Sequence, residues 1–495
     1  MQTTISPHNQ QPYITRSYPD EHQLDAVINA AAAAQKAWRA VPLEKRIEVG
    51  RRFMDEFKKI SDRLPLELAM QMGRPVAQCA GEARGMLGRA QYMLDIAPSA
   101  LADLSFANAG NSEDPFLKAS ADVPGFKRYI RREPLGVVLV VAPWNFPYLT
   151  AINSFLPALI AGNAVLLKPS PQTPLTAELI AEAWHAAVNA LTPGIKDTLQ
   201  VTHLPPQLVA RAAHSRKVDF VSFTGSVPGG KSVAAAATSY DGGNAEGFKG
   251  VALELGGKDP AYVRADADLA YTAAELVDGA FFNSGQSCCS VERIYVHESV
   301  FEEFVKRVKV VVESYILGDP TDPKTTLGPV VSLASSERIR KQIADALAAG
   351  AKSIIPESLF PIAKVGTTYV APTVLVDVDH TMDVMMEETF GPVVGIMKVP
   401  SDEAALALMN DSPYGLTASV WTNAEANEES ARVFEEVFAT GLEAGTVFLN
   451  RCDFLDPALA WCGVKDSGRG VSLSRFGYDQ LTRPKSVHMK IKTST

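Results

Sequence analysis

The chain has 495 residues, 46% of them hydrophobic and 21% charged, which suits a globular protein too long for a single core. A formal net charge of −9 argues against a nucleic-acid surface, and no apolar run approaches the ~18 residues of a membrane span. Residues Met1 to Asp20 lack the apolar segment of a signal peptide, and five cysteines in so long a chain predict free thiols in a reducing, cytoplasmic compartment. The eight histidines lie apart from one another and from the cysteines, so no metal site is predicted.

Leu24, Val27, Ile28, Ala31 and Trp38 keep the three-and-four spacing of an amphipathic helix, and further helical segments run to about Asp103. Ala107 to Pro124 reads as a loop, with Gly110, Asn111, Pro115 and Gly125 at or near it as breakers. The basic stretch Lys127 to Arg132 reads as an exposed hairpin strand. Val137 to Val141 and Val165 to Leu167 are continuous apolar runs, the pattern of buried parallel strands, separated by a helix from Leu149 to Ala161. Val218 to Phe223 is a third strand, followed by an Ala-rich helix, and Tyr240 to Gly250 is a polar, Gly-containing surface loop. A second run of strands and helices extends from about Pro260 to Asn450, and the tail Lys485 to Lys492 alternates like an edge or subunit-bridging strand. The alternation predicts an α/β fold with right-handed crossovers.

Two segments carry chemistry. Cys288 ends the run Phe282-Asn283-Ser284-Gly285-Gln286-Ser287, and it follows Glu254 of Glu254-Leu255-Gly256-Gly257-Lys258 by 34 residues. A thiol adds to a carbonyl carbon and holds it covalently, and a carboxylate then activates water against that intermediate. Glu254 lies in an otherwise apolar strand, where a carboxylate is costly without a task or a partner such as Lys258. Read alone, Cys288 and Cys289 fit equally well as buried small hydrophobes. Pro143-Trp144-Asn145-Phe146-Pro147 follows a buried strand, where open α/β sheets place their ligands. Phe223-Thr224-Gly225-Ser226 ends a strand and opens a helix whose N–H groups suit a pyrophosphate.

In order and spacing, the Glu254 and Cys288 segments resemble the signature segments of the aldehyde dehydrogenase superfamily, and the resemblance extends over nearly the whole chain. It implies a Rossmann-like nicotinamide-nucleotide domain (1–118 and 134–256), an α/β catalytic domain (257–450) and a small β oligomerisation element (119–133 and 478–495). It implies Cys288 as nucleophile, Glu254 as general base and Asn145 as an oxyanion donor beside the Cys288 N–H. NAD or NADP is implied as cofactor, contacted by Trp144, Lys168, Ser170, Gly225, Ser226, Leu255, Glu388 and Phe390, the last two in Glu387-Glu388-Thr389-Phe390-Gly391-Pro392. A tunnel would take side chains from Phe146, Thr150, Asn153, Ser287, Asp453, Phe454 and Trp461 and admit a small-molecule aldehyde. Subunits would pair as a homodimer or homotetramer. Asn410, Tyr414 to Leu416 and Asn450 would be structural, and Arg469 would hold a loop.

Three departures from the family pattern bear on specificity. Pro171 stands where many NAD-selective members carry a Glu that grips the ribose 2′-hydroxyl, which opens the site to NADP, with Lys168 and Ser170 as phosphate contacts. Val201 to Pro206 lacks the usual Gly-x-Gly, and Ala460-Trp461-Cys462-Gly463 replaces Pro-Phe-Gly-Gly. Asn153 and Asp453 predict a small polar or amino-bearing aldehyde. The alternatives are a coenzyme A-acylating enzyme, whose family members generally lack a base in the Glu254 position, and a nucleotide-binding protein without turnover.

Overall fold

The computed structural model describes residues 1–107, 113, 115–119, 123–239 and 248–492. Its first sheet has six strands in the order Gly468–Arg469, Gly250–Glu254, Phe220–Thr224, Val137–Val141, Ala164–Lys168 and Leu199–Val201. All neighbours are parallel except Gly468–Arg469, which runs antiparallel to Gly250–Glu254. Val137–Val141 is first in the chain yet central in the sheet. Later strands are laid down on both sides of it, so a crevice opens at its C-terminal end, where Trp144 and Asn145 follow. All five of its side chains are buried, as a strand covered on both faces requires.

The helices obey the same logic. Glu21–Trp38 starts on a reciprocal cap, in which Asp20 Oδ1 accepts from Gln23 N at 2.7 Å and Gln23 Oε1 accepts from Asp20 N at 2.9 Å. It buries Leu24, Ile28, Ala31 and Trp38. Trp38 joins Phe53, Phe57, Phe155 and Trp184 in an aromatic cluster with ring centroids 5.8–6.0 Å apart, and its indole N–H is satisfied by Leu159 O at 2.7 Å. That cluster fixes the helix Pro147–Ala161 against the rest of the core.

A second sheet of seven strands is ordered Lys352–Ser353, Thr373–Val376, Val393–Val399, Val291–His297, Asp259–Val263, Thr417–Trp421 and Thr446–Leu449. Only the first pair is antiparallel. A third, antiparallel sheet joins Leu104–Ser105, Phe126–Pro134 and Thr482–Lys490, with Thr482 to Lys490 facing Pro134 to Phe126 residue for residue. Among the described residues no helix is long and apolar enough to cross a membrane.

Several boundaries differ from the sequence reading. The helix expected from Leu149 begins at Pro147, because proline at the first turn lacks only an N–H the helix would not use. The third strand begins at Phe220, and the second run of strands at Asp259. Within the loop expected at 107–124, Pro115–Ala119 is a short helix, again opened by proline. Much of the loop expected at 240–250 lies outside the described residues, and Gly250 opens a strand.

Candidate active site

The backbone before Cys288 is forced. Asn283, Ser284 and Gly285 have φ of 52°, 56° and 69°, a left-handed run that costs on the order of 1 kcal/mol or more for each non-glycine residue. Contacts on every side hold it. Asn283 Oδ1 accepts from Arg74 Nε at 3.2 Å, and Ser284 Oγ donates to Gly328 O at 2.8 Å. Gln286 Oε1 accepts from Val331 N at 2.8 Å, and a Cβ at Gly285 would meet Gly391 O at 2.1 Å. The chain therefore delivers Cys288 half-buried at the floor of a cavity of about 540 Å³.

Glu254 faces the same cavity from the end of its strand. Its Oε1 accepts from Ser472 Oγ at 2.6 Å and its Oε2 from Thr224 Oγ1 at 3.5 Å. Burial raises its pKa above the ordinary carboxylate range, a shift the two hydroxyls oppose. It is not paired with Lys258. That ammonium, itself buried, reaches Glu292 Oε2 at 2.5 Å. Asn145 is buried, with Nδ2 donating to Gln286 O at 3.3 Å. The Cys288 N–H makes no hydrogen bond among the described residues.

Phe146, Thr150, Asn153, Ser287, Asp453, Phe454 and Trp461, expected in one tunnel, all line this cavity. Phe146 stacks on Phe282 at 6.4 Å, while Phe454 lies at the exposed rim under the Arg451 guanidinium. The two polar groups read as substrate contacts are engaged through their Oδ1 atoms, while Asn153 Nδ2 is buried without a partner among the described residues. Asn153 Oδ1 accepts from Arg89 Nη1 at 3.3 Å. Asp453 Oδ1 accepts from Cys289 Sγ at 2.9 Å and Ser287 Oγ at 3.3 Å, and burial pushes its carboxyl up to about 7.

Trp144 and Phe390 meet edge to face at 5.5 Å. Glu292 holds the turn that carries Phe390, which has φ 49°, by accepting from Thr389 N at 2.8 Å and Phe390 N at 2.9 Å. Glu388 Oε1 accepts from Gly257 N at 3.0 Å, and burial, with Glu292 nearby, pushes its pKa up to about 7. Lys168, which ends its strand, and Ser170, just beyond it, are both buried. Lys168 Nζ has no hydrogen-bond partner among the described residues, and burial pushes it down to about 8. Ser170 Oγ accepts from Gln172 N at 3.2 Å.

The phosphate contacts expected at Gly225 and Ser226 are partly engaged. The Gly225 N–H goes to Glu254 O at 3.0 Å, and Ser226 Oγ caps its own helix at Gly229 N, 3.4 Å away. Leu255 is buried against that helix, and a Cβ at Gly230 would meet it at 2.5 Å.

The whole-chain comparison agrees with this geometry: residues 1–487 match the model of the aldehyde dehydrogenase family. The chain belongs to the aldehyde dehydrogenase family. It is 32% identical to succinate-semialdehyde dehydrogenase [NADP(+)] 1 of Mycobacterium ulcerans over 98% of both chains. The aldehyde dehydrogenase-like fold also matches succinic semialdehyde dehydrogenase of Streptococcus pyogenes, solved with NADP+, at a TM-score of 0.87 and 26% identity, covering 99% of this chain and 100% of that one. Betaine aldehyde dehydrogenase of Staphylococcus aureus, solved with NAD+, matches at a TM-score of 0.86 and 26% identity, covering 100% of this chain and 92% of that one.

Sequence reasoning missed Arg74, Glu82 and Arg89, which line the cavity from the helix Val76–Ala100 and the turn before it. It also missed Ser472, on Glu254, and Glu292, behind Phe390. Their only local signal is a charged or polar side chain in a stretch that packs, as with Glu82 in Ala80-Gly81-Glu82-Ala83. Asn410 and Asn450 serve backbone groups, Asn410 Oδ1 accepting from Glu443 N at 2.9 Å and Asn450 Oδ1 from Thr422 N at 2.9 Å. Arg469 pairs with Leu253 on the sheet edge.

Proposed function

We propose that this member of the family oxidises an aldehyde to a carboxylic acid with NAD or NADP, using Cys288, Glu254 and Asn145. The observation that carries the reading is that Cys288 and Glu254, 34 residues apart in sequence, face one cavity. The Cys288 thiolate attacks the aldehyde carbon. The oxyanion accepts hydrogen bonds from Asn145 Nδ2 and from the Cys288 N–H, which has no partner among the described residues. Glu254, kept proton-hungry by burial, takes a proton from water as that water attacks the Cys288 thioester, and the acid leaves with the thiolate restored.

The groups around Trp144 suit a nicotinamide nucleotide in chemistry: a half-buried carboxylate for ribose hydroxyls at Glu388, and a buried ammonium at Lys168 without a hydrogen-bond partner among the described residues. The chemistry such a nucleotide supplies when bound is hydride acceptance. Trp144 and Phe390 would wall its ring, and Ser170, Gly225, Ser226 and Leu255 would border the rest. We assign 1–118 and 134–256 to nucleotide binding, 257–450 to the Cys288 domain, and 119–133 with 478–495 to subunit pairing. The largely exposed strand Thr482–Lys490 supports a homodimer or homotetramer, and the free thiols support a cytoplasmic enzyme.

The test is reduced-nicotinamide formation by the purified protein with one reactive aldehyde, NAD and NADP run side by side. Turnover that Cys288→Ser abolishes, with nucleotide binding intact, is the expected result. Turnover that instead requires coenzyme A would transfer the assignment to acyl transfer.

A further inference from the structure

Arg89 is the cation in the cavity that the mechanism leaves unused. Arg74, the other guanidinium there, is paired with Glu82 at 2.5 Å. Arg89 is 9% exposed, lines the cavity from the middle of the helix Val76–Ala100, and makes no ion pair among the described residues. Nη1 alone is engaged, donating to Leu149 O at 2.5 Å and Asn153 Oδ1 at 3.3 Å. These two bonds aim the guanidinium and leave Nε and Nη2 without a partner among the described residues. That edge is the planar fork that a carboxylate fits with two parallel hydrogen bonds. A buried charge left unpaired is costly, so such a group points to a ligand that completes it.

We propose that the Nε–Nη2 edge of Arg89 receives the carboxylate of a short aldehyde bearing an anion at its far end, a specificity reading that rests on the dehydrogenase function proposed above. Of the cavity's four acids, Glu82 is paired with Arg74, Glu254 is held by Ser472, and Asp453 by the Cys289 thiol and Ser287, while Asp278 stands on the helix Leu269–Phe281; none makes an ion pair with Arg89 among the described residues. Arg89 interacts electrostatically with Glu82 and, beyond it, with Glu254 and Cys288, and it lines the same cavity as the nucleophile. Of the polar or amino-bearing aldehyde suggested by Asn153 and Asp453, this favours the polar option, since Oδ1 of each already accepts from a protein donor while Asn153 Nδ2 has no partner among the described residues.

The experiment compares kcat/KM for 4-oxobutanoate and butanal, four-carbon aldehydes that differ in the terminal carboxylate, with saturating nucleotide. The wild type should favour 4-oxobutanoate, and Arg89→Gln should lower the ratio of the two efficiencies by about 10- to 100-fold, the worth of a charged hydrogen-bonded pair. Arg89→Lys should recover part of it. A wild-type ratio at or below one, or a ratio unmoved by Arg89→Gln, overturns the proposal while leaving aldehyde oxidation intact. Failure of both aldehydes with both nucleotides would instead count against the dehydrogenase reading. Calorimetry on the wild type then decides the anion site: succinate binding where succinamide does not supports it, and equal or absent binding of the two overturns it. The same comparison serves if Arg89→Gln fails to fold.

Discussion

Arg74 and Glu82 form a fully buried ion pair whose spare atoms hold the loop that carries Asn145. Glu82 Oε1 accepts from Tyr148 N at 3.0 Å and Leu149 N at 3.1 Å, at the start of the helix Pro147–Ala161, where a negative charge also meets the positive end of the helix dipole. Arg74 pairs with Glu82 Oε2, bonds Asn145 O and Asn283 Oδ1, and lies 4.3 Å over the Phe146 ring. One pair thus ties the Asn145 segment to the left-handed run before Cys288.

Breaking this pair strands a buried charge, at a cost of about 3–5 kcal/mol. Glu82→Gln should therefore lower the melting midpoint by about 3–5 °C for a chain of this length and reduce kcat, as the Asn145 segment shifts against Cys288. Calorimetric melting and steady-state kinetics check it. An unchanged midpoint would show that the pair adds nothing to the fold.

Glu254 must be ionised to take a proton from water, and its folded pKa is raised, so kcat limited by hydrolysis should climb with pH through a limb above the ordinary carboxylate range. The Ser472 hydroxyl stabilises the ionised form, so Ser472→Ala should move that limb to higher pH. Glu254→Gln should flatten it. A limb that Ser472→Ala leaves in place assigns it to another group.

Asp453 has a folded pKa pushed up to about 7 by burial, so the unfolded chain ionises it first. The fold loses stability as pH rises from the ordinary carboxylate range to about 7, and the loss is constant above that. Asp453→Asn can still accept from Cys289 and Ser287. Its gain in melting midpoint should grow between pH 5 and about 7 and then level off. A gain independent of pH would mean packing, not charge, is responsible.

Lys168 is buried without a hydrogen-bond partner among the described residues, and Pro171 is exposed three residues later, with its carbonyl accepting from Thr4 Oγ1 at 2.7 Å. Lys168→Met should raise the melting midpoint near neutral pH, where the native ammonium is costly to bury, and raise the KM for nucleotide at least tenfold. Pro171→Glu should shift the ratio of efficiencies toward NAD, since a carboxylate repels a 2′-phosphate. Equal ratios in both proteins would place the ribose elsewhere.

What the sequence made legible follows from how local the cause is. Val137 to Val141 and Glu21 to Trp38 carry their periodicity and caps within a few residues, so both elements were readable. Cys288 and Glu254 were readable because their segments resemble a known pair. Arg89, Ser472 and Glu292 were not, since each owes its place to a contact 60 or more residues away in the chain. The partner of Lys258 lay outside local view for the same reason: Glu292 and Glu254 are both plausible in sequence, and only the parallel alignment of Asp259–Val263 with Val291–His297 selects the first.

The edge strand Gly468–Arg469 gives the last consequence. Glu254 sits beside Gly468 in the sheet, Leu255 N donates to Ser467 O at 2.9 Å, and Ser472, 218 residues after Glu254, supplies its closest hydrogen bond. A ribosome thus emits the carboxylate long before the segment that seats it. Until then the nascent chain carries an unfastened acid on an open sheet edge, and the hydrolytic half of the reaction is assembled only once Ser472 has been added.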